Sequence, residues 1–207
     1  MKRFLTRGAL GLSVLTIGLS ATPAPSLAAT TTSACAAPTL SQPFLAWGDS
    51  NQYALVGGQA ADSFTGAGWT LTGGAKIITA TLSDGVTGSV LDLPAGSQAV
   101  SPTTCVTVQD PDARAMIANL SGSNGGKLNF SVSYAGTSTA NAAQQTGTFK
   151  TTGASGVKAG WLLSQPAALQ PGAASGWQLL QITLAPSGPK KSEFQLYNLY
   201  IDPRMVF

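Results

Sequence analysis

The sequence predicts an all-β fold, a two-sheet antiparallel β-sandwich, and three observations carry that prediction. Apolar and polar residues alternate with a period of two in several runs, and no segment after residue 28 sustains a helical period. The 24 glycines and 12 prolines fall mostly between those runs. Strands with one apolar face each, joined by turns and long connections, bury those faces by packing two sheets together.

Residues 1–28 read as a cleavable secretion leader. Lys2, Arg3 and Arg7 form a basic start, 9–21 form an apolar stretch, and Ser26-Leu27-Ala28 present the small residues a signal peptidase reads. The apolar stretch is too short for a resident membrane span. The mature chain is therefore expected to be secreted, extracellular and without an integral span, with release as the default. Residues 29–41 form a short flexible lead that opens on Ala, Thr and Ser. The remaining 42–207 suit a single sandwich domain with a full core.

Within that domain a segment at 68–76 leads into strands at 76–82 and 89–93, separated by Ser83-Asp84-Gly85. Further strands are expected at 105–108, 114–120, 127–134, 146–150, 177–184 and 193–201, about nine in all. The run 127–134 is the clearest: Leu128, Phe130, Val132 and Tyr134 alternate with Asn129, Ser131 and Ser133. In 177–184, Leu180, Ile182 and Leu184 oppose Gln181 and Thr183. The last strand changes phase, from Phe194 and Leu196 to Tyr197, Leu199 and Ile201, and a bulge near Leu196 would explain the switch.

The chain carries 11 basic and 8 acidic side chains. Three basic ones leave with the leader, so the mature charges balance. Attraction to nucleic acid or to an anionic membrane has no support. Charged residues are 9% of the chain, against roughly 25% in an average protein. A surface built instead of Thr, Ser, Asn and Gln suits neutral, hydroxyl-rich partners. Cys35 and Cys105 most simply form one disulfide in an oxidising compartment. Closing the long loop between them is worth ~4 kcal/mol. Lipidation of Cys35 is the competing assignment, but Thr32 stands where a lipobox has Leu, and Cys105 would be left a lone thiol.

There is no histidine, and Glu193 is the one glutamate. A Ser-His-Asp or Cys-His nucleophile system lacks its base, and a zinc site would need thiolates that are already paired. The remaining catalytic route is a carboxylate pair of the glycoside-hydrolase kind. Of the seven aspartates, Asp84, Asp110 and Asp202 stand directly before Gly or Pro, as turn residues do. Asp110 and Asp112 flank Pro111 at a spacing that also suits a calcium loop. Asn119-Leu120-Ser121 and Asn129-Phe130-Ser131 match the glycosylation tripeptide but fall in expected strands.

Three segments carry a resemblance. Gly68-Trp69-Thr70-Leu71-Thr72-Gly73-Gly74-Ala75-Lys76, Ser89-Val90-Leu91-Asp92-Leu93-Pro94-Ala95-Gly96-Ser97 and Phe194-Gln195-Leu196-Tyr197-Asn198-Leu199-Tyr200-Ile201-Asp202 follow one another in this order. Together they resemble secreted jelly-roll domains of the galactose-binding-like and carbohydrate-binding-module kind. The resemblance implies a jelly-roll sandwich of eight to ten strands that binds glycans without cleaving them, often with a structural calcium. Gly58-Gln59-Ala60-Ala61 stands where that family has Phe-Glu, and Tyr197-Asn198 where it has Asp-Asp. The acidic calcium positions are unmatched, so no metal or other cofactor is carried over.

Sugar recognition needs an aromatic face against the ring C–H surface and hydrogen-bonding groups for the hydroxyls. Trp69 sits between glycines at a strand start and reads as core, whereas Trp161 and Trp177 each open an apolar run and serve as core or platform. Trp47 and Tyr53 flank the polar loop Gly48-Asp49-Ser50-Asn51-Gln52. Asn129 and Gln181, with Ser131 and Thr183, would line one polar face if their strands lie together, and Arg114 would reach the same face. The ligand-binding candidates are therefore Trp47, Tyr53, Arg114, Asn129, Trp161 and Gln181. The expected function is a secreted, non-catalytic module for a neutral polysaccharide or cell-surface glycan. The alternatives are a structural or adhesive cell-surface protein that binds another protein, and a carboxylate-only glycoside hydrolase.

Overall fold

A computed structural model describes residues 35–121, 126–135, 145–149, 160–169, 171, 176–188, 190 and 192–202. The expected leader and the start of the lead lie outside the described residues. The described chain is all strand and turn apart from a single 3-10 turn, Leu45–Trp47. Its strands are β1 (Leu40–Ser41), β2 (Tyr53–Leu55), β3 (Gln59–Ala60), β4 (Ser63–Phe64), β5 (Thr70–Thr72), β6 (Lys76–Thr81), β7 (Thr87–Pro94) and β8 (Gln98–Val100). There follow β9 (Thr104–Val106), β10 (Asp112–Asn119), β11 (Lys127–Ala135), β12 (Gln145–Phe149), β13 (Trp161–Leu163), β14 (Ala167–Ala168), β15 (Gln178–Ser187) and β16 (Glu193–Ile201). The long periodic runs fall where expected. The extra segments are two or three residues long, too short to show any period.

The strands form two main antiparallel sheets. One has eight strands: β1-β2-β16-β10-β13 in order, with β14 also on β10, β7 also on β16 and β6 on β7. The other has six, ordered β12-β11-β15-β8-β5 with β9 also on β15. A small hairpin, β3–β4, stands apart from both. Between the sheets, Leu91, Leu93, Ala113, Ile117, Phe194 and Leu196 of the first meet Leu128, Phe130, Val132, Leu180, Ile182 and Leu184 of the second. Each is at most 3% exposed, as expected when period-two strands turn one face inward.

The eight-stranded sheet is apolar on its outer face as well. Phe44, Tyr53, Leu82, Val90, Met116, Leu163, Tyr197 and Tyr200 form a second cluster there. The phase change in β16 places its aromatic members. Pairing runs Ala113↔Ile201 and Arg114↔Tyr200, then shifts to Met116↔Tyr197, so Asn198 and Leu199 oppose Ala115 alone. The bulge therefore lies at Asn198, two residues beyond the expected Leu196. Asn198 has φ +50°, a left-handed conformation that Asn tolerates better than most residues. Its side-chain amide donates to the Asp62 carboxylate at 2.9 Å and its carbonyl oxygen accepts the Asp62 N–H at 3.1 Å. As a result Tyr197 and Tyr200 face outward while Leu199 and Ile201 turn into the core. Tyr197 does not share a phase with Leu199, contrary to the sequence expectation.

Trp69 is core, 9% exposed, and Gly58 seats it. The Trp69 indole N–H donates to the Gly57 carbonyl at 2.8 Å. At Gly58, where φ is +77°, a Cβ would lie 2.3 Å from the Ala67 carbonyl oxygen and 2.6 Å from the Trp69 ring. Only glycine fits there. The bridge Cys35–Cys105 closes as expected, with the Cα atoms 5.9 Å apart. It ties the stretch ahead of β1 to β9. Within the residues read as lead, Leu40 and Ser41 already pair with β2.

Candidate functional site

The loop between β1 and β2 is built around Asp49. Phe44 is fully buried, its ring edge-on to Tyr53 at 5.0 Å and to Tyr200 at 5.5 Å. The 3-10 turn then closes on Gly48, whose N–H donates to the Leu45 carbonyl at 3.0 Å. One Asp49 oxygen accepts the Asn51 N–H at 3.0 Å. The other accepts the Tyr53 hydroxyl at 2.6 Å and is paired with the Arg114 guanidinium. Arg114 also donates to the Ser164 carbonyl at 3.0 Å and stands 5.7 Å over the Phe44 ring. The Asp49 and Arg114 side chains are each 13% exposed.

This latch corrects one expectation. Arg114 does not reach the polar face that carries Asn129 and Gln181. It lies on the eight-stranded sheet, between the inward-facing Ala113 and Ala115, and so points to the opposite side of the sandwich. Tyr53 is likewise buried, at 1% exposure, and acts as a donor to Asp49. Burial and the Asp49 carboxylate push its hydroxyl up to about 12, which keeps that donor protonated. Burial pushes the Asp49 carboxyl up, but the bonds from Tyr53, Asn51 and Arg114 outweigh it and hold the group below its ordinary value.

Asp112 and Asp202 gather near the same guanidinium, so the aspartates are not all scattered among turns. Asp84 and Asp110 are: they accept the N–H of Val86 at 2.9 Å and of Thr107 at 2.6 Å. Burial pushes Asp112 up, partly offset by Arg114. Burial, with the charges of Asp112 and Asp49 added, pushes Asp202 up to about 6 from 3.8. The folded state thus holds this proton more tightly than the unfolded chain. The stabilising contribution is complete below pH 3.8 and is lost as the pH rises through 6. Asp202→Asn removes that loss. Its melting temperature is expected to match the native protein's near pH 4 and to exceed it by roughly 2–4 °C at pH 7.5, about 1 kcal/mol for a solvent-screened group. A difference that stays flat across that range would show that Asp202 titrates normally.

The latched loop presents Trp47 at 46% exposure and Leu45 at 58%. Ser50, Asn51 and Gln52 are exposed beside them in sequence, and the Gln42 amide donates to the Ser50 carbonyl at 2.6 Å. Trp161 is on the same side of the sandwich but is half-buried. Its ring packs edge-on against Tyr197 at 4.7 Å, and its N–H donates to the Thr81 carbonyl at 2.7 Å. The Tyr197 hydroxyl in turn shares a 2.7 Å hydrogen bond with Ser83. Trp161 and Thr81 belong to strands at opposite edges of the sheet, so this contact draws the curled sheet together over its outer cluster.

The other two candidates do come together. β11 and β15 pair with Asn129↔Ala185, Ser131↔Thr183 and Ser133↔Gln181, and β8 and β5 continue the sheet through Thr183↔Val100 and Thr70↔Val100. Asn129, Ser131, Ser133, Gln181 and Thr183 thus lie on one outward face. Gln181 is exposed and its amide donates to the Ser101 carbonyl at 3.2 Å. A hollow of about 230 Å³ opens here, lined by Thr103, Ser133, Tyr134, Leu180 and Gln181. A larger one, about 460 Å³, lies among Pro94, Ala95, Leu120, Ser121, Lys190, Ser192 and Glu193. Neither is lined by the aspartates around Arg114. Among the described residues, no group of three or more Asp, Glu, Cys or His side chains is placed to hold a metal ion, and no helix is long and apolar enough to cross a membrane.

The six candidates therefore divide, four toward the eight-stranded side and two on the six-stranded face. The latch itself was missed at the sequence level because its partners are 65 residues apart. The nearest signal was Asp49 in a polar loop bounded by two aromatic residues.

No protein family and no curated protein matches the chain. Solved structures do show a likeness. The carbohydrate-binding module TmCBM61 in complex with β-1,4-galactotriose matches at 14% identity over 66% of this chain and 88% of that one, with a TM-score of 0.36. A xylan-binding domain from Paenibacillus barcinonensis matches at 14% identity over 68% and 88%, with a TM-score of 0.34. A family 11 carbohydrate-binding module from Clostridium thermocellum, in complex with a β-1,3-1,4-mixed-linked tetrasaccharide, matches at 12% identity over 66% and 88%, with a TM-score of 0.31. Likenesses of that extent assign neither ligand nor site.

Proposed function

We propose that the chain is a secreted, non-catalytic β-sandwich module that binds a neutral glycan, with Trp47 as the ring platform. The observation that carries this reading is an exposed indole on a loop locked by Asp49, Tyr53 and Arg114. A ring carried on a backbone that is fixed before binding loses less freedom on contact than one on a mobile loop. The loop's one acidic group is neutralised by Arg114, and its exposed side chains Ser50, Asn51 and Gln52 are uncharged donors and acceptors. That combination suits a pyranose, which has an apolar face and neutral hydroxyls. The Cys35–Cys105 bridge supports export, because such bonds persist in oxidising compartments. Catalysis by a carboxylate pair is disfavoured at Asp49, both of whose oxygens are engaged.

Retention on immobilised xylan, β-1,4-galactan, mannan, cellulose and mixed-linkage β-glucan tests the reading. At least one matrix is expected to retard the purified protein. Trp47→Ala is expected to weaken binding at the loop by about 30-fold, the ~2 kcal/mol typical of an aromatic anchor, with an unchanged melting temperature. No retention on any of the five would overturn the glycan assignment. The exposed Leu40 and Leu45 favour a protein ligand as the second reading.

A further inference from the structure

We infer that Gln59, Asp62 and Asn198 form a hydrogen-bonded knot that takes the place of the structural calcium implied by the resemblance, so that this part of the sandwich is closed without a metal ion. Such a knot holds the side of the molecule that carries the Trp47 loop, whatever that side binds.

The first support is where the unmatched acidic positions fall. Gln59 and Asn198 belong to the two stretches in which they are missing, and the fold brings those stretches together. The Gln59 carboxamide donates to the Leu199 carbonyl at 3.2 Å and accepts the Leu199 N–H at 3.0 Å, across 140 residues. It also donates to the Val56 carbonyl at 3.1 Å. One residue before Leu199, Asn198 and Asp62 bond each other in both directions, the Asn198 amide to the Asp62 carboxylate and the Asp62 N–H to the Asn198 oxygen. A carboxamide both donates and accepts, whereas a carboxylate only accepts. Carboxylates in place of these two amides would face Asp62 and the two carbonyls with no donor between them and would need a cation. The amides need none.

The second support is the state of the oxygens. Calcium takes about six to eight oxygen ligands at roughly 2.3–2.6 Å. The oxygens gathered here are those of the Gln59 and Asn198 amides, one of the Asp62 carboxylate, and the Val56 and Leu199 carbonyls. Each already accepts an N–H from a neighbour, and those hydrogens repel a cation. Asp62 supplies the knot's single negative charge against the two positive charges of the ion. The residues present do not fit calcium. The third support is the backbone. Asp62 and Asn198 both hold positive φ, +58° and +50°, which Asp and Asn adopt more readily than most side chains. Gly88 of β7 lets the tip of the β3–β4 hairpin close in, since a Cβ there would lie 2.5 Å from the Asp62 carbonyl oxygen. The knot thereby fixes the bulge in β16 that turns Tyr197 and Tyr200 outward, and Tyr200 meets the Phe44 ring beneath the Trp47 loop.

Melting of the chelator-stripped protein tests this, in excess EDTA and in excess calcium chloride at matched ionic strength. The native melting temperature is expected to agree between the two media to about 1 °C, whereas a calcium site filled at about 100 times its Kd would raise it by roughly 5–11 °C. A native rise above about 2 °C in calcium would overturn the inference. In EDTA, Asn198→Asp removes a donor and sets a second carboxylate against Asp62. It is expected to melt roughly 4–8 °C below the native protein, and an unchanged melting temperature would show that the amide does not hold the hairpin. The pair Gln59→Glu with Asn198→Asp leaves three carboxylates beside two carbonyls. It is expected to gain a rise of roughly 5 °C or more in calcium. No such rise in the pair, or no folding in either medium, would overturn the substitution of amides for a cation at this place.

Discussion

Arg114→Met is expected to lower the melting temperature by roughly 6–12 °C at pH 7.5, about 3 kcal/mol, the lower end of what breaking a buried ion pair costs. Methionine keeps an apolar stem against Phe44 but removes the bond to the Ser164 carbonyl and the partner of Asp49. It also leaves Asp112 and Asp202 without the positive charge of the Arg114 guanidinium. The loss should be smaller at pH 4.5, where Asp202 is protonated, and larger at pH 8, where it is not. Asp49→Asn is expected to cost less, since the one amide oxygen that remains still accepts from Tyr53 or from Asn51, which bond different oxygens of the carboxylate. The two changes together should cost less than their sum, as groups in direct contact do. A drop below about 1 kcal/mol in Arg114→Met would place the pair among surface ion pairs that contribute little, and Trp47 would then have no rigid mount.

The disulfide carries the second large effect. Replacing both cysteines, Cys35→Ser with Cys105→Ser, is expected to lower stability by ~4 kcal/mol, or roughly 8–16 °C. The bridge closes a separation of 70 residues and acts mainly by restricting the unfolded chain, so denaturant unfolding and thermal melting should agree on the loss. Thiol reductant applied to the native protein should reproduce it. A change under about 1 kcal/mol would mean that the stretch at residue 35 is held by β1–β2 pairing without the bridge.

Much of the sandwich was legible in the sequence, for a physical reason. A strand with one buried face writes its orientation into every second residue: 127–134 and 89–93 fall within observed strands, and 177–184 does so from Gln178 on. Their turns are equally local: Asp84 accepts the Val86 N–H two residues on. The polar face followed from the same alternation, since Asn129 and Gln181 had to oppose the apolar residues around them.

Other features could not be read this way. The position of the bulge depends on Asp62 reaching Asn198, a contact across 136 residues. Arg114 was assigned to the wrong face because alternation says only that its side chain points away from Ala113 and Ala115. It does not say which sheet the strand joins. Trp47 flanks a polar loop and Trp161 opens an apolar run, but neither setting says that the first is exposed and the second bonds Thr81.

By itself the sequence determined the all-β character, the inward and outward faces of its long strands, the low share of charged residues and the absence of an imidazole. These depend on residue identity and on spacings of two. Tertiary structure alone decided which faces share a side of the molecule, which aromatic rings meet solvent, and that Asp49, Tyr53 and Arg114 form one latch. Those outcomes arise from pairing between strands distant along the chain, where no local period records the partner.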